Sequence, residues 1–376
     1  MNNQKIVMVD LRNQYQKLKP EINQAMQEVM DATSFIKGRQ VFEFEQNLAQ
    51  FTGTKHVTSC GNGTDAIQIA LMALDLKPND EIIVPAFTYV ATIEVIALLG
   101  LKPVMVDVNP ETFNIDISAL ENAITPTTKA VIPVHLFGQC SDMEPILILA
   151  EKHGLYVIED NAQALGADYT FSNGLTKQTG TIGHIGCNSF FPTKNLGCFG
   201  DGGAIFTDDA QLAEKIRMVA NHGQKQKYHH DLVGCNSRLD TLQAAILNIK
   251  LKYLNEHLEA RQKAASFYDE ALKDLAFAEL PLRMPNATHT FNQYTLKVKN
   301  GRRDELQNYL AGHGIPSMIY YPLPLYKQVA FSKYVSPGFK LPVTEYLCQS
   351  VLSIPIHTEI DETILTTITN ILKSFK

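Results

Sequence analysis

The chain has 376 residues, enough for two domains or one large α/β unit with a sizeable buried core. Its 33 Lys and Arg residues against 39 Asp and Glu residues give a formal net charge of −6, so no basic surface favours binding to nucleic acid. No apolar run approaches membrane-spanning length and the first residues lack the apolar core of a signal peptide, so we expect a cytoplasmic protein that does not enter membranes.

Short apolar segments alternate with helical segments along the first two-thirds of the chain. The predicted strands are residues 56–60, 81–84, 103–106, 130–135, 155–159, 187–191 and 203–207. The helical segments between them include residues 65–76, 89–99 and 142–152. Strands that are apolar along their whole length favour a mostly parallel sheet covered on both faces, so the predicted fold class is α/β.

The last third of the chain has a different pattern. We expect a long helical stretch over residues 236–271, with apolar residues at helical spacing, to connect two domains. A strand over residues 293–298 and a helix over residues 303–311 follow. We therefore predict a large domain over residues 1–250 and a small α+β domain over residues 251–376.

The six cysteines include no Cys-x-x-Cys pair, and disulfides are rare in cytosolic proteins, so we expect free thiols. His229 and His230 are adjacent and lack the spacing of metal ligands. We expect no metal site.

The first candidate site is a turn between the strand at residues 56–60 and the helical run at residues 67–76. Gly61 and Gly63 in this turn permit close approach of the backbone. A strand, a glycine turn and a helix form a phosphate-binding arrangement, because the free amides and the positive end of the helix dipole face the anion. The turn has neither the dinucleotide fingerprint nor the P-loop lysine, and many strand-to-helix turns carry two glycines.

The second candidate is Asp160, which ends the apolar strand at residues 155–159. Ligands of open α/β sheets bind beyond the carboxyl ends of the strands. A carboxylate there can keep a pyridine nitrogen protonated, which makes the ring an electron sink. The alternative is that Asp160 caps a helix or pairs with a surface base.

The third candidate is Lys194, which lies between the apolar strand at residues 187–191 and the glycines of residues 197–203. Burial lowers the pKa of a lysine and makes its amine a nucleophile toward carbonyl carbons. The alternative is an ordinary solvated lysine. A lysine nucleophile, an acid at a strand end and a phosphate turn together describe a pyridoxal-phosphate site.

The chain resembles the DegT/StrS-type nucleotide-sugar aminotransferases, which are fold type I pyridoxal-phosphate enzymes. The matching stretches occur in the family's order: residues 61–66 (GNGTDA), 84–92 (VPAFTYVAT), 159–163 (EDNAQ), 192–197 (PTKNLG), 200–203 (GDGG) and 236–240 (NSRLD). The resemblance implies a mostly parallel seven-stranded sheet covered by helices, with a smaller C-terminal α+β domain.

The resemblance also implies roles for the residues around the cofactor ring. Lys194 would hold the cofactor covalently and later move a proton between substrate and cofactor, and Asp160 would pair with the ring nitrogen. Gln163 would hydrogen-bond the phenolic oxygen of the ring, and Tyr89 would stack on the ring. Without the resemblance, Gln163 could be a solvated helix residue and Tyr89 a core aromatic.

A second group would hold the phosphate. The amides of Gly63 and Thr64 and the hydroxyl of Ser189 would bind it, and Asn236 would reach it from the partner subunit. The resemblance therefore implies a homodimer with shared active sites. Relatives that dehydrate sugars carry histidine in place of Lys194, so lysine favours transamination.

The substrate region is similar to one subgroup of the family. Residues 221–230 and 320–325 most resemble enzymes acting on UDP-linked 2-acetamido-3-oxo-hexuronic acids, although Tyr320 stands where that subgroup has histidine. Arg238 matches an arginine near the sugar and could bind a carboxylate bidentately, or else form an inter-subunit ion pair. The candidate substrate-binding residues are Arg238, Tyr320, Tyr321 and His229.

The implied reaction is transamination of a keto group on a nucleotide-linked sugar, with glutamate as the amino donor and a surface polysaccharide or lipopolysaccharide O-antigen as the destination. A dTDP-3-oxo-6-deoxyhexose aminotransferase is the alternative within the family. Outside that activity, the alternatives are a pyridoxal-phosphate enzyme of amino-acid elimination and a non-catalytic regulator that senses the cofactor or a sugar.

Overall fold

A computed structural model describes residues 5–376. The helices are α1 (Leu11–Ala32), α2 (Arg39–Thr52), α3 (Gly63–Met72), α4 (Ala91–Leu98), α5 (Ile117–Ala123), α6 (Met143–His153), α7 (Ala210–Val219), α8 (Thr241–Lys252), α9 (Leu254–Leu272), α10 (Arg303–Gly312), α11 (Pro342–Ser350) and α12 (Glu362–Ser374). The strands are β1 (His56–Cys60), β2 (Glu81–Pro85), β3 (Lys102–Val106), β4 (Thr128–Val131), β5 (Tyr156–Asp160), β6 (Asp168–Thr170), β7 (Thr176–Gln178), β8 (Ile185–Ser189), β9 (Gly203–Thr207), β10 (Gln224–Gln226), β11 (His229–His230), β12 (Ala278–Glu279), β13 (Tyr294–Val298) and β14 (Val351–Ile354).

The main sheet has seven strands in the order β1-β9-β8-β5-β4-β2-β3. Neighbouring strands from β8 to β3 run parallel, and β9 runs antiparallel to β8 and to β1. The sheet confirms the predicted α/β class. Because β1, β5 and β8 point the same way, the turns that follow them meet at one edge, where ligands of such sheets bind.

Most predicted elements differ from the structure by a few residues at their ends, and two of the differences have a structural reason or divide an element. The strand predicted over residues 130–135 ends at Val131, two residues before Pro133, whose nitrogen has no hydrogen to donate to a neighbouring strand. The helix predicted over residues 236–271 begins only at Thr241 and is divided at Tyr253, whose backbone angles (φ −102°, ψ 3°) lie outside the helical region.

Two N-terminal helices, α1 and α2, were not predicted from the sequence. Both are largely polar and bury only a narrow apolar stripe, which in α1 comprises Leu18, Ile22 and Val29. Leu18 and Ile22 pack against Ile246 of α8, so these helices cover α8 at the side of the main sheet.

Helix α9 contacts two different cores. Leu254 and Leu258 pack with residues of the main-sheet unit, whereas Ala265 and Tyr268 pack with the small sheet β12-β13-β14 and with α12. The division into domains at residue 250 stays a prediction. Across residues 5–376, no helix is both long and apolar enough to cross a membrane.

Candidate active site

Asp160 lies at the carboxyl end of β5, and its side chain is 6% exposed. Its carboxylate accepts hydrogen bonds from the Thr92 hydroxyl at 2.8 Å and from the Ala162 amide at 3.2 Å. Both donors are uncharged. A buried carboxylate with only neutral donors favours the approach of a cation, because burial penalises an uncompensated charge.

Lys194 lies in the loop between β8 and β9, where its amide donates to the Phe191 carbonyl at 2.9 Å. Burial lowers the pKa of Lys194 to about 8, although the nearby carboxylate of Asp160 partly opposes the shift. With that pKa, about one amine in ten is neutral at pH 7, against far fewer for an ordinary lysine. The structure therefore brings a reactive amine close to the buried carboxylate.

Gln163 is buried, and both the oxygen and the nitrogen of its side-chain amide form hydrogen bonds. Its carbonyl oxygen accepts from the Phe137 backbone amide at 2.6 Å, and its nitrogen lies 3.3 Å from the Tyr321 hydroxyl, to which it donates. The ring of Tyr89 lies 6.1 Å from that of Tyr321 and is 57% exposed, so Tyr89 is not a core aromatic. Gln163 likewise is not a solvated helix residue.

The phosphate turn begins helix α3 at Gly63. Asn62 caps this helix by accepting a hydrogen bond from the Asp65 amide at 2.8 Å. A Cβ atom at Gly63 would lie 2.7 Å from the Cβ atom of Ser189, so the first turn of α3 and the end of β8 are in direct contact. The amides of Gly63 and Thr64 and the Ser189 hydroxyl thus lie around one small region.

The segment that contains Asn236 and Arg238 lies behind the phosphate turn. Ser237 accepts from the Gly61 amide at 2.8 Å and donates to the Asp65 carboxylate at 2.6 Å. Asn236 is exposed, and Arg238 is half-buried.

Positive charge accumulates beside this segment. The pKa of Lys37 is lowered by burial and then by the positive charges of Arg238 and Arg217, while Glu45 opposes the shift. Arg217 is in turn bound to Glu45 at 3.2 Å. A half-buried guanidinium in a local excess of positive charge is suited to an anionic group of a substrate.

The other substrate candidates lie in two places. The rings of Tyr320 and Tyr321 are 5.9 Å apart, and Tyr320 lines a cavity of about 310 Å³ together with Thr193, the neighbour of Lys194. His229 lies instead in the exposed hairpin β10-β11, which packs on α7. Within one chain, the structure therefore brings both tyrosines, and not His229, to the region around Lys194 and Gln163.

Three residues that position the site had no role in the sequence-based prediction. Thr92 binds the Asp160 carboxylate, and Asn195 donates to the backbone carbonyls of Gln163 at 3.5 Å and Leu165 at 3.3 Å. Glu159, which is fully buried, accepts from three backbone amides of residues 180–183 and pairs with His135 at 2.8 Å. Each lies within or next to a matched motif, which was the only signal in the sequence.

These groups fit pyridoxal phosphate. The buried carboxylate of Asp160, with only neutral partners, suits a protonated ring nitrogen. The start of α3 and the Ser189 hydroxyl suit the phosphate. The amine of Lys194 suits the aldehyde carbon.

Comparison with known proteins identifies the family. Residues 16–373 match the DegT/DnrJ/EryC1/StrS aminotransferase family. A UDP-2-acetamido-2-deoxy-3-oxo-D-glucuronate aminotransferase of Pseudomonas aeruginosa is 47% identical over 95% of this chain and 96% of its own length. A pleiotropic regulatory protein of Geobacillus stearothermophilus is also 47% identical, over 95% of each chain. A UDP-N-acetyl-3-dehydro-alpha-D-glucosamine 3-aminotransferase of Acidithiobacillus ferrooxidans is 43% identical over 99% of this chain and 98% of its own.

Solved structures agree with this result. A DegT/DnrJ/EryC1/StrS aminotransferase from Brucella abortus matches with a TM-score of 0.93 and 41% identity, covering 98% of this chain and 99% of its own. DesV of S. venezuelae, solved in complex with a ketimine intermediate, matches with a TM-score of 0.94 and 36% identity, covering 99% of this chain and 98% of its own. The chain belongs to the DegT/DnrJ/EryC1/StrS family and is a pyridoxal-phosphate-dependent sugar aminotransferase of fold type I.

Proposed function

We propose that this chain aminates the 3-oxo group of a UDP-linked 2-acetamido-hexuronic acid, with glutamate as the donor. The observation that carries the substrate class is the 47% identity, over nearly the whole chain, to an aminotransferase named for that sugar. The half-buried Arg238, in a local excess of positive charge, supports a substrate with a carboxylate. The product would enter the synthesis of a surface polysaccharide such as an O-antigen, in the cytoplasm.

Pyridoxal phosphate, when bound, supplies an electron sink for the carbon that loses or gains a proton. The protein must then hold the ring and move the proton. The amine of Lys194, with a pKa of about 8, exists in both protonation states near neutral pH. It can therefore accept a proton from the substrate carbon and return it, as general acid–base catalysis requires.

Asp160 and Gln163 would orient the ring and tune its charge. The bonds from Thr92 and Ala162 hold the Asp160 carboxylate in one orientation, so it can keep the ring nitrogen protonated. The bond from Phe137 fixes the carbonyl of Gln163 and leaves its nitrogen to donate. Tyr89, with its exposed ring, would cover one face of the cofactor.

The active form would be a homodimer with shared sites. Asn236 is exposed in one chain, next to the segment that contacts the phosphate turn, so its amide is available to a second copy. The exposed hairpin with His229 is likewise available to a partner subunit. In this arrangement, each phosphate and each sugar would be bound by residues of both chains.

A neutral UDP-linked 3-oxo-N-acetylhexosamine is a second candidate substrate. It is favoured by the 43% identity to an aminotransferase named for such a sugar. It is also favoured by Tyr320, because a phenol is uncharged at neutral pH and burial raises its pKa further. A neutral phenol donates to a carboxylate less strongly than a protonated histidine at that position would.

The absorption spectrum of the purified protein with pyridoxal phosphate tests the proposal. Glutamate should convert the visible cofactor band, and UDP-2-acetamido-3-oxoglucuronate should restore it. Restoration only by the neutral UDP-sugar, or only by a dTDP-3-oxo-6-deoxyhexose, would reject the uronate. Firm cofactor binding without turnover of any keto-sugar would instead support a regulator. Repeated release of ammonia from an amino acid with no sugar present would support a different reaction, because transamination without an acceptor stops after one turnover of the cofactor.

Arg238→Ala tests the carboxylate specifically. A charge-assisted hydrogen bond contributes about 1.5–3 kcal/mol, so KM for the uronate should rise roughly 10-fold or more, with little change for the neutral sugar. Arg217→Ala is the matched control, since it removes a neighbouring positive charge that is already paired with Glu45. Equal increases of KM for both sugars would remove Arg238 from carboxylate recognition.

A further inference from the structure

Lys194 lies in the loop of residues 190–202, between β8 and β9, and backbone contacts join the two sides of this loop. The Cys198 amide donates to the Phe190 carbonyl at 2.8 Å. A Cβ atom at Gly197 would lie 2.3 Å from the carbonyl oxygen of Pro192, so the two sides of the loop are packed directly against each other. Because these contacts join the two sides of the loop, a shift of Gly197 would also shift the segment that carries Lys194.

Two backbone groups of this loop point toward helix α8. The Gly197 carbonyl accepts from the Lys250 ammonium at 2.5 Å, and the Phe199 amide donates to the Gln243 side-chain oxygen at 2.8 Å. Gln243 and Lys250 are seven positions apart, so they lie on the same face of the helix, two turns from each other. Helix α8 therefore holds the loop at two points.

Lys250 is an unusual residue for this position. It is 2% exposed, and its ammonium lies 5.7 Å from the centre of the Phe199 ring, which also belongs to the loop. Lysine is rarely buried so completely without a carboxylate partner, and here its ammonium binds a backbone carbonyl and an aromatic face. Both partners lie in the loop of Lys194.

We infer that Lys250 is a positioning residue that holds the Lys194 loop, and with it the reactive amine, in register with Asp160. The inference rests on the proposed role of Lys194. It adds a residue outside the motifs of the cofactor site, on a helix that packs mainly against α1 and α2. Lys250 would act through Gly197 and would not contact cofactor or substrate.

The experiment compares Lys250→Met with Lys252→Met in the full-length enzyme loaded with pyridoxal phosphate. Methionine keeps the length and apolar stem of the side chain and removes the donor. Lys252 lies on the same helix but is exposed, with its ammonium 3.8 Å from Glu21. The readouts are kcat, KM for the keto-sugar, and the circular dichroism of the visible cofactor band, which reports how the bound ring is oriented.

Lys250→Met should lower kcat roughly 10-fold, since a misplacement near 1 Å at a reacting group can lower the rate further still. KM should change less than about 2-fold, and the cofactor dichroism should weaken. Lys252→Met should match the wild type. Equal kcat and equal dichroism in the two variants would overturn the inference.

A second variant covers the case in which Lys250→Met does not fold, and a chemical test separates this inference from the proposed role of Lys194. If Lys250→Met does not fold, Gln243→Leu, which removes the second attachment at a half-buried position, should give the same weaker dichroism and lower kcat. An unchanged Gln243→Leu enzyme would then overturn the inference. Borohydride reduction followed by peptide mass spectrometry should find the cofactor on Lys194 in the wild type; its absence there would reject the proposed role of Lys194 itself.

Discussion

Gly63 is the residue at which the phosphate turn and the lysine-bearing segment meet. The 2.7 Å separation between a Cβ atom at this position and that of Ser189 is shorter than van der Waals contact. Its backbone conformation is not left-handed, so the requirement for glycine is one of space. The first turn of α3 can therefore lie against β8 only if residue 63 has no side chain.

Gly63→Ala should separate these two segments. Overpacking of this kind destabilises a protein by about 1–3 kcal/mol, and we expect the affinity for pyridoxal phosphate to fall as well, because the amides and the Ser189 hydroxyl move apart. Urea unfolding and cofactor titration measure the two effects. Gly312→Ala is the control, since a Cβ atom there meets no neighbour within 4 Å. Equal cofactor affinity in both variants would contradict the expected contact.

At the residue scale, the sequence points directly to the groups that we propose to carry the chemistry, and less directly to those that hold them in place. Lys194, Asp160 and Gln163 belong to short motifs that mark them directly. Thr92 contacts Asp160 from 68 positions away in the chain, and Lys250 contacts Gly197 from 53 positions away. Such supporting contacts depend on how the elements pack, which no local spacing specifies.

Helix α3 depends on its first turn for two different purposes. Asn62 stabilises the helix by binding the Asp65 amide, and the same end of the helix would bind the cofactor phosphate. The two purposes can be separated by changing the cap.

Asn62→Ala should lower the free energy of unfolding by about 1 kcal/mol, because the cap is lost. Asn62→Asp should keep the stability of the cofactor-free protein, since aspartate caps equally well and its charge is favourable at a helix N-terminus. The same charge should repel the phosphate and weaken cofactor binding. Thermal unfolding without cofactor and titration with pyridoxal phosphate separate the effects; unchanged cofactor affinity in Asn62→Asp would argue against a phosphate beside Asn62.

At the element scale, strands were easier to predict than helices. Each of the seven predicted strands overlaps a strand of the main sheet, because a fully buried strand is apolar along its whole length. Helices α1 and α2 were missed although each has an apolar stripe on an otherwise polar surface, so their periodicity was present in the sequence. The break at Tyr253 has no glycine or proline to mark it.

For the molecule as a whole, the buried Lys250 makes stability depend on pH. Burial lowers the pKa of Lys250 from 10.5 to about 8, so between these values the folded chain has released a proton that the unfolded chain still holds. This group therefore raises the free energy of unfolding as the pH rises through that window. Below pH 8 the buried charge opposes folding.

Lys250→Met should remove this dependence. We compare the free energy of unfolding of the variant with that of the wild type at each pH. The advantage of the variant over the wild type should be about 1–3 kcal/mol smaller at pH 10 than at pH 7.5. Urea unfolding of the cofactor-free protein at both pH values measures it, with Lys252→Met as the exposed control. Parallel pH curves for wild type and Lys250→Met would show that the buried amine does not titrate in this range.

The proposed homodimer with shared active sites predicts complementation between two inactive chains. Lys194→Ala should be inactive because it lacks the amine, and Asn236→Asp should be inactive because its charge repels the phosphate of the partner's site. When the two are mixed and allowed to exchange subunits, each mixed dimer has one intact site, so about a quarter of the wild-type activity should return. Native mass spectrometry monitors the exchange of subunits. If mixed dimers form and no activity returns, Asn236 belongs to the site of its own chain.

The pairing of β1 with β9 has a consequence for how the protein is made. His56 pairs with Thr207, roughly 150 residues later in the chain, and this contact must form before the phosphate turn lies beside the lysine loop. During synthesis the turn emerges from the ribosome long before its neighbouring strand exists. Capture of the vitamin B6 cofactor is therefore a late event in biogenesis, and a nascent chain halted before β9 would have β1 as an unpaired, aggregation-prone edge.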